Sequence, residues 1–231
     1  MTGNEDSTVA FPFERRCEKA LLELKDATGI DVNKAHFGDV SPLLSDPASV
    51  FESMAEDGLP LSQKVREYFF RHDEITACWR LEHEDSVMVG EFRLCHVMRA
   101  VTENYLSDIW ESDNDQRDLY EELRVFDDTP RTGTGRLAAL RATDGATDPE
   151  IWFFDLREGA MKMELDYAGY LEAVLTTKGV LGWQYLFCAP EDCGTGFASV
   201  ANRLNEMLTT LPRLFPDYDY SELRARLEAR L

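Results

Sequence analysis

The chain has 231 residues, of which 44% are hydrophobic and 11% aromatic, enough to bury one sizeable core and too apolar for a disordered chain. Its 44 Asp and Glu against 24 Lys and Arg give a formal net charge of -20, which repels nucleic-acid phosphates and anionic lipid and excludes a nucleic-acid reader. No apolar run reaches the roughly 18 residues that cross a bilayer, and the opening MTGNEDSTVA lacks the basic and apolar regions of a leader, so a cytoplasmic protein with no membrane contact is expected.

Residues 1–10 are polar and read as a disordered tail, and residues 11–231 read as one domain. FPFERRCEKALLELKDATG places Cys17, Ala20, Leu21 and Leu24 at helical spacing, with Gly29 closing the helix. In SDPASVFESMAEDG, Asp46 is the N-cap, Pro47 the first helical residue and Gly58 lies beyond the end. LPLSQKVREYFFRHD gives a further short helix. Past Asp73 the period changes: ITACWRLEH and SVMVGEFRL alternate around an acidic turn, Glu84 to Ser86, as a β-hairpin does. The stretch from Cys95 to Asp127 reads as part helix, with a loop at 112–115. RLAALRATDGATDPEIWFFDL reads as a second hairpin. LDYAGYLEAVLTTKG is the clearest helix, capped by Asp166 and stopped at Gly179. Two helices close the chain, in FASVANRLNEMLTTLPRLF and YSELRARLEARL. Helices, then hairpins, then helices predict an α+β fold: a single antiparallel sheet with helices packed around it.

The sequence offers few chemical motifs. TGTGRLAA matches G-x-G-x-x-G/A through Gly133, Gly135 and Ala138, with Asp155 about 20 residues on, but DDTPR before it is no buried strand and TDG cuts off any crossover helix. A mobile glycine loop is the expectation, with no cofactor. His36, His72, His83 and His96 stand alone, and the five cysteines, Cys17, Cys78, Cys95, Cys188 and Cys193, never fall in a C-x-x-C, so neither a metal site nor a disulfide framework is expected. Idle thiols in a reducing cytoplasm are the simpler account. No nucleophile elbow is visible, and no catalytic residue is assigned.

One stretch carries a functional signal. ENYLSDIWESDNDQRDLYEEL, Glu103 to Leu123, holds eight acids against one base, Arg117, with aromatic residues interleaved. Carboxylates steer a basic partner and aromatic anchors supply desolvated contact energy, so Asp108, Glu111, Asp113, Asp115, Asp118, Glu121 and Glu122 are assigned as a steering surface with Trp110 as anchor. The competing reading is a helix and loop with solvated acids and core aromatics. The uncharged GVLGWQYLF, Gly179 to Phe187, poses the same choice and reads as core packing.

EIWFFDLREGAMKMELDYAGYLEAVLTTKGVLGWQYLF resembles the end of the SUKH superfamily domain, the group containing the fungal cell-wall-synthesis regulator and many bacterial proteins. An acidic-ended strand, a Tyr-rich helix and Gly-Trp-Gln-Tyr-Leu-Phe carry the resemblance, with LP at 59 and 60, WRLEH and GEF earlier; it covers most of residues 47–188. It implies an α+β domain without a catalytic centre that acts by binding. Bacterial members are typically immunity proteins that plug a toxin domain, often a nuclease. The leading expectation is therefore a non-enzymatic inhibitor of a basic toxin. A regulatory adaptor for a host protein and an enzyme with a dispersed site are the alternatives.

Overall fold

The computed structural model describes residues 10–83, 86–109 and 116–231. Helix α1 (Pro12–Asp26) leads into strand β1 (Ile30–Phe37), then α2 (Pro47–Glu56) and the single turn α3 (Gln63–Arg66). Strands β2 (Glu74–His83) and β3 (Ser86–Cys95) follow, then α4 (Val97–Glu103), α5 (Leu106–Ile109), α6 (Arg117–Glu122), β4 (Leu123–Asp128), β5 (Arg136–Arg141), β6 (Ile151–Asp155) and β7 (Gly159–Lys162). Helices α7 (Tyr167–Thr177), α8 (Gly196–Leu214) and α9 (Ser221–Glu228) complete the chain. The seven strands form one antiparallel meander in sequence order, the expected α+β architecture.

Both expected hairpins are present. β2 pairs β3 from Glu74↔Cys95 to His83↔Ser86, so Ser86 is a strand residue, and β5 pairs β6 from Arg136↔Asp155 to Leu140↔Ile151. Asp46 caps α2 and Asp166 caps α7 through the Gly169 N–H at 2.8 Å. Strands β1, β4 and β7 were not expected.

The sheet is sandwiched unevenly. One face carries Ile75, Ala77, Trp79, Phe92, Leu94, Ala138, Leu140 and Phe153 into the main core, shared with α1, α7, α8 and α9. On the other face of β4–β7, Leu123, Val125, Leu137, Ala139 and Phe154 pack under Leu106 and Tyr120 from α5 and α6. Residues 137–140 thus alternate between two cores, which is why this strand reads as an unbroken apolar run. Helix α9 folds back on the main core through Leu223 and Leu227, and Arg226 pairs with Glu164 at 2.7 Å.

The sheet splits beside β3. β4 pairs with it only at Arg93↔Asp128 and Leu94↔Asp127, and residues 179–181 fill the gap. There the Glu91 N–H donates to the Gly179 carbonyl at 2.9 Å and the Leu181 N–H to the Val89 carbonyl at 3.1 Å. Gly179, at φ +69°, permits this approach, since a Cβ would lie 2.8 Å from the Glu91 carbonyl oxygen. The rest of GVLGWQYLF winds into a buried 3-10 turn, Trp183–Phe187, in which Trp183, Tyr185 and Phe187 are all core.

Candidate partner-binding face

Helices α4 to α6 build the acidic surface. His96 starts α4, its Nδ1 accepting from the Met98 N–H at 3.1 Å. After α4 the Asn104 side-chain amide donates to the Val125 carbonyl at 3.0 Å, fixing the chain beside β4. Leu106 and Tyr120 then turn inward, the Tyr120 ring standing edge-on to Phe154 at 5.8 Å. The apolar residues of α5 and α6 therefore go to a second core, and the α6 acids take the outer side.

Of the residues assigned from sequence, Asp118 and Glu121 are exposed at the surface of α6. Glu121 pairs with Arg117 at 3.5 Å, one helical turn away. Glu122 is half-buried and pairs with Arg141 at 2.6 Å; Arg141 also meets Glu150 at 3.4 Å, and Glu150 binds Lys162. That chain of alternating charge holds α6 against β5–β7 and leaves Glu122 less free to steer a partner. Trp110, Glu111, Asp113 and Asp115 lie outside the described residues, as does the side chain of Asp108.

Beside this face is an open groove of about 460 Å³, bounded by the end of α2, α4, β4 and the β5–β6 loop and lined by Asp57, Leu59, Val101, Tyr105, Arg124 and Asp144. The Arg124 guanidinium lies 3.6 Å over the Tyr105 ring, and its N–H groups donate to the carbonyls of Val101 (3.2 Å) and Glu121 (2.6 Å). Asp57 and Asp144 each precede a glycine, and the two turns are joined by the Gly145 N–H on the Gly58 carbonyl at 2.7 Å. Sequence reasoning missed both acids. Two Asp-Gly pairs were visible, but nothing local says that the turns meet.

The glycine motif is accounted for differently. Gly133 and Gly135 lie in the β4–β5 turn, and a strand, not a helix, follows. The turn's Arg131 and Thr132 N–H groups both donate, at 2.7 Å each, to the carboxylate of buried Glu91. An internal carboxylate occupies the anion position that a phosphate-binding loop would offer. Asp155 is taken up inside the fold, accepting from Arg136 at 2.6 Å and Tyr185 at 2.8 Å. Burial works to raise its pKa, but these partners and the Arg157 N–H outweigh it and hold the carboxyl below its usual range.

Burial also acts on Asp127 and Lys178, which are likewise tied to neighbours. Burial pushes Asp127 up to about 7 against the hydrogen bond from Tyr170; one oxygen accepts from the Tyr170 hydroxyl at 2.6 Å and the other from the Arg93 N–H at 3.0 Å. Burial brings Lys178 down to about 8 against its 2.7 Å pair with Glu23. Each joins one element to another: Asp127 ties β4 to α7, and Lys178 ties the end of α7 to α1. Among the described residues no group of three or more His, Cys, Asp or Glu could hold a metal ion, and no helix is long and apolar enough to cross a membrane. Compared with models of protein families, with curated proteins and with solved structures, the chain finds no match.

Proposed function

We propose that the protein acts by binding a basic protein partner, as an immunity-type inhibitor that neutralises a cognate toxin, a nuclease being the class whose phosphate-binding site an acidic surface fits best. The observation that carries this reading is the distribution of charge. More than half of the basic side chains are engaged in ion pairs within the chain, Arg71 with Glu14, Arg136 with Asp155 and Arg141 with Glu122 among them. Among the described residues most carboxylates without such a pair lie at the surface, and α6 presents Asp118 and Glu121 on a face anchored by a second core. Such a field accelerates encounter with a basic surface. The SUKH resemblance points to the same mode of action.

Co-expression with the product of the adjacent gene, followed by copurification, tests the reading. The expected result is a stable complex whose association slows by roughly tenfold and loses salt dependence when Asp118→Lys and Glu121→Lys are combined. Binding unchanged by that reversal would remove this face from the account. Recovery of host machinery alone would instead favour a regulatory adaptor.

A further inference from the structure

Strands β3 and β4 pair only at Arg93↔Asp128 and Leu94↔Asp127. On one side of that pairing residues 179–181 fill the gap; on the other, β3 turns off into α4 and the two strands diverge. The wedge between them is a cleft of about 100 Å³ whose polar wall is Glu74 from β2, Arg93 from β3, Arg99 from α4, Asn104 just beyond it, and Asp127 and Asp128 from β4.

The acids on this wall are already engaged. Glu74 accepts from Lys34 at 3.2 Å and from Thr76 at 3.1 Å. Asp128 takes the Arg93 fork, through Nε at 2.7 Å and through Nη2, while Asp127 accepts from the Tyr170 hydroxyl and the Arg93 main-chain N–H. The Cys95 thiol beside them stays neutral, because burial pushes it up to about 12. The donors are not used up. Among the described residues Arg93 Nη1 and both terminal nitrogens of Arg99 have no partner, since Arg99 is held only through Nε, by Glu103 at 3.1 Å. Both members of that last pair are half-exposed, so it contributes little and is readily exchanged for another acceptor.

We propose that this cleft binds one small oxyanion, a phosphoryl or carboxylate group, clamped between the guanidinium groups of Arg93 and Arg99. The space suits such a group: it has room for about three water molecules, too little for the body of a larger ligand. Guanidinium N–H groups in fixed fork geometry match the oxygens of phosphate and carboxylate, and such charge-assisted bonds are the strong ones. Asn104 keeps the wedge open, its amide donating to the Val125 carbonyl at 3.0 Å and to Cys95 Sγ at 3.2 Å. In a chain of net charge -20 the long-range field opposes an anion, so binding here depends on these local donors and not on arginines elsewhere.

The experiment titrates sodium phosphate, and separately sodium acetate, into the ¹⁵N-labelled full-length chain at neutral pH, with chloride holding the ionic strength constant. The expected result is a saturable set of amide shifts confined to the ends of β3 and β4 and to α4. Tighter binding of phosphate assigns a phosphoryl group, and tighter binding of acetate a carboxylate. Arg99→Gln, at an exposed helix position, should keep the ligand-free spectrum and weaken binding roughly tenfold, the worth of one charge-assisted hydrogen bond. Arg99→Lys, which keeps the charge and loses the fork, should recover only part of that affinity. Arg117→Gln, which removes an exposed cation from α6, should bind as the wild type does. Absence of saturable shifts with both anions, wild-type affinity in Arg99→Gln, or an equal loss in Arg117→Gln would overturn the proposal.

Discussion

The indole N–H of Trp79 donates to the main-chain carbonyl of Lys178 at 2.7 Å, joining the middle of β2 to the end of α7. It does so across Gly90 of β3: a Cβ there would lie 2.3 to 2.6 Å from three atoms of the indole. Gly90→Ala should therefore displace the ring, and overpacking plus the lost hydrogen bond should cost about 2 to 4 kcal/mol in urea unfolding. Trp79→Phe in the same chain relieves the clash, so the double variant should be less destabilised than the sum of the two single changes. Simple additivity would mean that the ring and the glycine are not coupled.

His96 and Asp127 should give opposing pH dependences. Burial takes His96 down to about 3 from 6.5, so between those values the unfolded chain binds the extra proton and stability rises with pH. Asp127, raised to about 7 from 3.8, binds its proton in the folded state, so over its window stability falls with pH. From about pH 5.5 to 6.5, above the range where lowered carboxylates such as Glu14 and Asp155 add a rise of their own, the two contributions largely cancel and the wild-type stability should be nearly flat. Asp127→Asn should expose the histidine slope, a rise of about 1 kcal/mol per pH unit, and His96→Asn the opposite slope. Denaturant midpoints at four pH values suffice. A flat profile in both variants would refute the assignment.

Glu91 should govern the β4–β5 turn. Its carboxylate accepts from two successive main-chain N–H groups, and an amide in its place can satisfy only one while turning an NH₂ toward the other. Glu91→Gln should cost about 1 to 3 kcal/mol and speed hydrogen exchange at Arg131 and Thr132 selectively. Exchange protection unchanged at both amides would show that the carboxylate does not hold the turn.

What sequence reading recovers and misses follows from how local each signal is. Helix α7 is legible because cap, apolar stripe and stop fall within one short span, and both hairpins are legible because their alternation is confined to neighbouring strands. β1 escapes because it is an edge strand, with Asp31, Lys34 and His36 on its polar side and a register shift between Val32 and Lys34 that breaks the alternation. β4 escapes for a related reason: a second shift, between Val125 and Asp127, leaves Phe126 as the extra residue, and both Phe126 and Asp127 contact Tyr170. An acid beside an aromatic then looks like a helix end instead of a core strand. The α6 acids are visible in the sequence, but the Arg141 that occupies Glu122 comes from the neighbouring strand β5, 19 residues on.

Trp183 tests whether the uncharged segment after α7 is core or ligand platform. Its ring lies 4.9 Å from that of Tyr170 and 5.8 Å from that of Phe187, and Tyr170 in turn holds Asp127. Trp183→Ala therefore removes a buried wall behind the Asp127–Tyr170 bond as well as the indole's own contacts, and should destabilise the fold by about 3 to 5 kcal/mol. Trp183→Phe, which keeps a ring against Tyr170, should recover part of that loss. A platform would behave otherwise, since its aromatic contacts are made with the partner and not within the chain. If Trp183→Ala kept the wild-type unfolding midpoint while losing only partner capture, the aromatic turn would have to open to solvent on binding.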